Sequence, residues 1–421
     1  MRVAIISDSP SLPTGFARTT RSLVKALVDT GHTVSCYGLG IFEEVFDRSR
    51  YPCKIWPAGD NDEKLREMFL PFAASEKPDA ILINYDLMTT LSWMRFLTKS
   101  VAGVEVISHL IIDGLPVYPE LLKPLDKCAA IIVVTQSAQA QVAAVVSAPV
   151  YYLPHMVDCE KFRPLKNAET VKRTLFSDSF VIGTVAQNRS RKQLVQTLHA
   201  IRLLRDAGRK PVFLLHTDRV RGLRVGGKPL RKIVDYFEIA DVVHITESHR
   251  QADAAAEDAT SNFSRFGASL KLHELGALTV AERLNLCDVA VIGSAYGGFE
   301  YGIIEAQSCG IPVCVTDDDG NMMEVAGRAC EPLRPAFFEF TDYGAKVWKV
   351  SPETIAAAIA RLMDDPHRRR ELQASGAQNA RRYDLTTNES SIAATLRLIL
   401  DSLPLPQRLD APVRRVIAGR G

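Results

Sequence analysis

Short apolar runs recur along the first part of the chain: RVAIIS at 2–7, TVSCYG at 33–38, DAILINY at 79–85, VEVISHLI at 104–111, AAIIVVTQ at 129–136 and VYYLPH at 150–155. Each stops at a polar or Gly/Pro turn, and the segments between them carry apolar residues at helical spacing. Unbroken apolar runs bounded by turns are what parallel strands look like when helices cover both faces of their sheet. A second series follows: FVIGTVAQN at 180–188, PVFLLHTD at 211–218, DVVHITE at 241–247, CDVAVIGS at 287–294 and IPVCVTDDD at 311–319. The pattern predicts an α/β protein with two doubly wound units.

The stretch HMVDCEKFRPLKN breaks the strand rhythm with Pro164 and a cluster of charges, which sets the expected boundary near residue 165. The expected domains are 1–165 and 166–385, with a C-terminal helix and tail at 386–421 packing back on the first. The segment 248–279, long, polar and rich in Ala and Ser, reads as a lid, a binding loop or a tolerated insertion.

Composition narrows the classes. At 421 residues and 47% hydrophobic, the chain can fill two cores of ordinary size. A formal charge of +2 excludes bulk attraction to polyanions, so any affinity for nucleic acid or membrane must come from a local patch. The eight cysteines are scattered through apolar surroundings without a CxxC pair, which predicts reduced, buried thiols and a cytoplasmic protein. The N-terminal apolar run breaks into Ser, Pro and Gly too early for a signal peptide, and no run approaches bilayer length.

Several positions carry candidate chemistry. Thr14 and Gly15 follow the first strand and open a helix, where a glycine lets the backbone approach a phosphate; a plain strand-to-helix turn is the alternative, since GxGxxG is absent. Arg18, Arg21 and Lys25 recur at helical spacing on that helix, as a solvated face or as a phosphate-tracking patch on the acceptor side. His109 at a strand end and Asp113 in the next turn stand where open α/β sheets hold ligands. His216 and Asp218 end another strand. The run Asp317, Asp318 and Asp319 offers adjacent carboxylates, but a solvated turn is the stronger reading than a metal site, so no metal is expected. The most informative stretch is GGFEYGIIEAQSCGIPVCVTDDDG at 297–320: strand end, glycine-rich turn, and a helix start bearing Glu305, a combination that puts a carboxylate and free amides at a phosphate-friendly helix end.

At that stretch the chain resembles the family 4 retaining glycosyltransferases of GT-B fold, whose pattern Gly298, Phe299, Glu305, Ala306, Gly310 and Pro312 match. TGFARTTRSLVKAL, TGHTV, LPHMVDCEKFRP, VAQNRSRKQL and FLLHTD extend the resemblance in order over most of the chain. It implies two Rossmann-like domains facing a central cleft and a metal-independent transfer from a nucleotide-sugar, UDP-sugar first. It further implies that Glu305 binds the ribose, that Arg191 and Lys192 bind the diphosphate, and that His109 touches the donor sugar. Gly15, Gly298, Phe299, Gly302, Ile303, Ile304, Arg189 and His216 would complete the donor side, with Asp113 beside the chemistry.

The departures are specific. The family's first glutamate, eight residues before Glu305, falls on Gly297, while Glu300 stands where the family has glycine and can replace that carboxylate only if the turn is rebuilt. The arginine often found before the basic pair appears as Gln187, with Arg189 close by. A catalytically weakened nucleotide-sugar binding protein is therefore one alternative, and an epimerase or phosphorylase of the same fold another. The acceptor stays open between a glycan, a small molecule and a hydroxylated base in DNA, the last because the opening segment and IIDGLP are similar to phage-type members.

Overall fold

The computed structural model describes residues 1–43, 50–59, 62–101, 103–218, 227–247 and 270–404. Most of the expected lid, 248–269, and the basic tail from 405 onward lie outside the described residues.

The described residues form two compact units, 1–155 with 387–404, and Met156–Thr386. The first is built on a seven-stranded parallel sheet in the order β3-β2-β1-β4-β5-β6-β7. Its strands are β1 (Arg2–Asp8), β2 (Thr33–Leu39), β3 (Lys54–Gly59), β4 (Ala80–Asp86), β5 (Glu105–Ile111), β6 (Ala130–Val133) and β7 (Val150–Tyr152). Val3 through Ile6 are all at most 1% exposed, as an apolar run covered on both faces requires. The edge strand β3 carries no such run: four of its six residues are half-buried, and Pro57 sits where a missing N–H is tolerated.

The Gly15–Asp29 helix starts at Thr14, whose hydroxyl accepts the Ala17 N–H at 3.1 Å and donates to Asp8 Oδ2 at 2.6 Å. That cap ties the helix start to the end of β1. Ala17, Thr20, Leu23, Val24 and Leu27 form its buried stripe.

The second unit holds a six-stranded parallel sheet in the order β10-β9-β8-β11-β12-β13. These are β8 (Phe180–Val185), β9 (Pro211–Thr217), β10 (Val243–Glu247), β11 (Val289–Ile292), β12 (Val313–Thr316) and β13 (Glu331–Leu333). Ile182, Leu198, Ile201, Phe213 and Ile359 are fully buried in its core. The first unit ends at His155, ahead of the Pro164 stretch, because Val157 already bridges Asp384: its N–H donates to the Tyr383 carbonyl at 2.8 Å, and Leu385 N–H returns to the Val157 carbonyl at 2.9 Å. An antiparallel hairpin, β14 (Phe337–Phe340) and β15 (Lys346–Lys349), stands outside both sheets. It is fastened by the Trp348 N–H to the Ala295 carbonyl at 2.8 Å.

Strand order reverses between β1 and β4 in one sheet and between β8 and β11 in the other. At such a reversal the connections leave toward opposite faces, and the loops beyond the strands' carboxyl ends open a crevice for a ligand.

Candidate active site

In the second unit the loops leaving β8 and β11 flank the reversal. The first runs into a 3-10 turn, Ser190–Lys192. Asn188 holds its base: its N–H donates to Asp218 Oδ1 at 2.8 Å, its Nδ2 donates to the Lys228 carbonyl at 2.7 Å, and its Oδ1 accepts the Lys228 N–H at 3.0 Å. Gln193, with φ at 49°, sends Nε2 to the Gly293 carbonyl at 2.7 Å and accepts the Val350 N–H at 3.2 Å. The Ala295 N–H donates to the Arg191 carbonyl at 2.6 Å. These bonds sew the two loops into one frame; Asn188 and Gln193 lie inside the stretch VAQNRSRKQL, but nothing in the sequence singles them out as the residues that hold it.

That frame presents a charge cluster. Arg191 Nη1 lies 2.9 Å from Glu300 Oε1 and donates to the Tyr296 carbonyl at 3.1 Å; Lys192 Nζ lies 2.5 Å from Glu300 Oε2. The three side chains are 23%, 10% and 11% exposed, so the basic pair is partly buried and ion-paired within the protein, not an open surface pair. Burial pushes the Glu300 carboxyl upward, but Lys192 and Arg191 outweigh it and hold the group down at about 2. A Cβ added at Gly297 would come within 2.5 Å of Glu300 Oε1, so the glycine leaves the volume that this carboxylate fills. Arg189, on the same loop, is exposed.

The Tyr301–Ser308 helix follows with Glu300 at its N-cap. Gly298 is buried, and the Phe299 ring packs 5.4 Å from Tyr301 and 5.5 Å from Tyr383. Ile303 and Ile304 are 0% exposed, which makes their side chains core and leaves only backbone for a ligand. A Cβ on Gly302 would meet nothing nearer than 4.0 Å, so sterics do not require glycine there. Glu305, on the same helix, is 5% exposed. On neighbouring strands His216 Nδ1 lies 2.8 Å from Thr246 Oγ1; burial, helped by Arg283, pulls its pKa down to about 3 and keeps the ring neutral.

Asp318 departs from the solvated turn expected of the acidic run. It is buried and accepts the N–H groups of Gly320, Met322 and Met323, at 3.2, 3.0 and 3.1 Å, ahead of the Asn321–Ala326 helix. Among the described residues no cluster of three or more His, Cys, Asp or Glu side chains has metal-holding geometry.

In the first unit a buried polar network lies at the ends of β1, β4 and β5. Asn84, which interrupts the apolar run of β4, donates from Nδ2 to the Phe16 carbonyl at 3.1 Å, to Thr20 Oγ1 at 3.0 Å and to Ser7 Oγ at 3.1 Å. The Phe16 carbonyl can only accept, so the amide nitrogen faces it and Oδ1 faces His109 Nδ1 at 2.9 Å. Burial lowers His109 to about 4, so the ring is neutral, with its proton on Nδ1 and a lone pair on Nε2. The His155 ring stands 5.5 Å away and is also driven down by burial.

Unfolded histidines titrate near 6.5, so below that pH the unfolded chain binds protons that folded His109 refuses until about 4. Stability should therefore fall as pH drops through that window, by up to about 1.4 kcal/mol per pH unit for each such ring. Urea midpoints across the window should show a flatter fall in H109Q, and an unchanged slope in a folded H109Q would remove His109 as the source.

Asp113 lies half-buried beyond β5. The first helix does not present a free basic face: Arg21 Nη1 donates to the Pro10 and Leu12 carbonyls at 2.8 and 3.2 Å, and Lys25 bridges Asp29 at 2.7 Å and Glu389 at 2.6 Å. Arg18 is half-buried, and Gly15 opens that helix with an exposed backbone.

Residues 269–382, which contain Gly297 through Glu305, match the family of glycosyl transferases group 1. No curated protein sequence matches the chain. Among solved structures, the sucrose-phosphate synthase of Thermosynechococcus elongatus superposes with a TM-score of 0.72 at 16% identity, covering 96% of this chain and 100% of that one. HepE of Anabaena, solved with UDP and glucose, gives 0.68 at 14% identity over 94% of this chain and 100% of that one. The trehalose-6-phosphate synthase OtsA gives 0.62 at 12% identity over 96% and 100%. At such identities the likeness shows the fold, and the matched segment supplies the class. With two parallel-sheet α/β units and a glycosyl transferases group 1 segment in the second, the chain is a glycosyltransferase of GT-B fold.

Proposed function

We propose that this glycosyltransferase is a retaining enzyme that moves a sugar from a UDP-sugar to an acceptor hydroxyl. The observation that carries this reading is the pairing of Arg191 and Lys192 at the strand-order reversal of the second unit, on a loop frame held by Asn188 and Gln193. Two cations there suit a diphosphate, and the HepE structures with UDP and glucose and with UDP-glucose support a uridine donor on this fold. Glu305 is assigned the ribose hydroxyls, and the backbone from Gly298 to Ile304 the phosphate side, with Arg189 and His216 at its margin. In the first unit His109 Nε2 accepts a bond from a sugar hydroxyl, while Gly15 and Asp113 flank it.

In the reaction the bond from the anomeric carbon to the diphosphate oxygen breaks. Negative charge grows on that oxygen, where Arg191 and Lys192 stabilise it. The acceptor oxygen bonds to the same face of the sugar and passes its proton to the departing phosphate oxygen. His109 serves as an orienting acceptor and not as an acid, since a ring titrating near 4 holds no spare proton at neutral pH.

A carbohydrate or small-molecule acceptor is favoured over DNA, because Arg21 and Lys25 on the first helix are already engaged. Incubation with a panel of UDP-, GDP- and ADP-sugars, with and without glycan acceptors, tests the reading by mass analysis of products. A transferred hexose with retained configuration supports it; no nucleotide release from any donor would sink it. Steeply salt-dependent retention of DNA would instead restore the nucleic-acid acceptor.

A further inference from the structure

We propose that Glu300 is a built-in counter-ion that occupies the Arg191–Lys192 pair until a diphosphate displaces it, and that Gly297 is the residue that lets it do so. The inference rests on the reading of that pair as the diphosphate clamp. Each Glu300 oxygen takes one cation, Oε1 with Arg191 at 2.9 Å and Oε2 with Lys192 at 2.5 Å, so both charges are already satisfied within the protein. A phosphate group approaching the same donors competes with the carboxylate for them.

Space at residue 297 decides whether this arrangement exists. An added Cβ there would lie 2.5 Å from Glu300 Oε1, 3.0 Å from Cγ and 3.1 Å from Cδ, so any side chain at 297 expels the carboxylate from between the cations. The obstructing atoms are the far end of a flexible side chain, so the carboxylate can swing away while the backbone at the start of the Tyr301–Ser308 helix stays in place.

Two consequences follow for the reaction. Every ligand that takes both cations must displace Glu300, so the carboxylate lowers the affinity of the pair for its anion. After sugar transfer, return of Glu300 to Arg191 and Lys192 competes with the nucleoside diphosphate and speeds its release.

The test is calorimetric titration of the full chain with inorganic pyrophosphate and with UDP at neutral pH. Wild type is compared with E300Q, G297A and R191A/K192A, each with a melting curve. The latch predicts that E300Q and G297A both bind pyrophosphate about tenfold more tightly than wild type, and that UDP binding tightens by a similar factor. G297A keeps the experiment decisive if E300Q does not fold, since the three atoms nearest to its methyl group all belong to the flexible Glu300 side chain. Unchanged or weaker pyrophosphate binding in G297A and E300Q, alongside loss of binding in R191A/K192A, overturns the latch and leaves the clamp standing. Wild-type pyrophosphate affinity in R191A/K192A overturns the clamp reading itself, and the latch with it.

Discussion

The double variant R191A/K192A is expected to lose at least about a thousandfold in turnover, the effect of withdrawing two charge-stabilising donors from a leaving group in a sheltered site. It is also expected to be less stable than wild type. In the native fold both cations neutralise Glu300, whose side chain is 11% exposed, and their removal leaves that carboxylate buried without a partner. An orphaned charge of this kind costs about 2–4 kcal/mol at neutral pH.

Adding E300Q separates the two effects. The triple variant R191A/K192A/E300Q should recover most of the melting temperature and none of the rate. The pH dependence has a defined sign: Glu300 is held at about 2 against an ordinary 4.5, so its stabilisation is complete above the ordinary value and is lost as pH falls from there through about 2. Melting curves and initial rates for the double and triple variants check this. A wild-type rate in the double variant would remove both residues from the chemistry and shift attention to the exposed Arg189.

The second large effect is expected for E305A. A carboxylate accepting from two ribose hydroxyls makes charge-assisted bonds that alanine cannot supply, and donor affinity should fall about a hundredfold. Glu305 is 5% exposed, so its neighbours also feel the change. E305Q retains the shape and one good acceptor and should bind at an intermediate level while melting close to wild type. Calorimetric titration with UDP and with UDP-glucose separates ribose recognition from sugar recognition, since the loss should be the same for both. Unchanged affinity in a folded E305A would take Glu305 out of the donor site.

How much of this protein is legible in its residues differs by level. The parallel sheets are written in runs such as RVAIIS and DAILINY, because a strand covered on both faces must be apolar along its whole length and few other elements look like that. The edge strand β3, the three-residue β13 and the β14–β15 hairpin leave no such mark. Edge and surface strands need no continuous burial, and Phe337, Phe338 and Phe340 are 57%, 43% and 58% exposed.

At the candidate site, local pattern picks out Glu305 and His109, and the family resemblance adds Arg191 and Lys192, each as a separate candidate. Residue order along the chain also shows that a glutamate is absent at 297 and present at 300. It does not show that these facts are one fact. Only the fold puts the Glu300 carboxylate into the volume beside Gly297 and between two cations some 108 and 109 positions earlier in the chain. The same holds for Asn84, whose amide orientation decides which nitrogen of His109 keeps its proton, and for Arg21 and Lys25, which form a basic stripe on paper and are paired in three dimensions. Local pattern determines elements because burial has the period of the element; pairing of charges across long sequence separations has no period, and it is set only when the loops of the folded sheet bring the partners within a few ångströms.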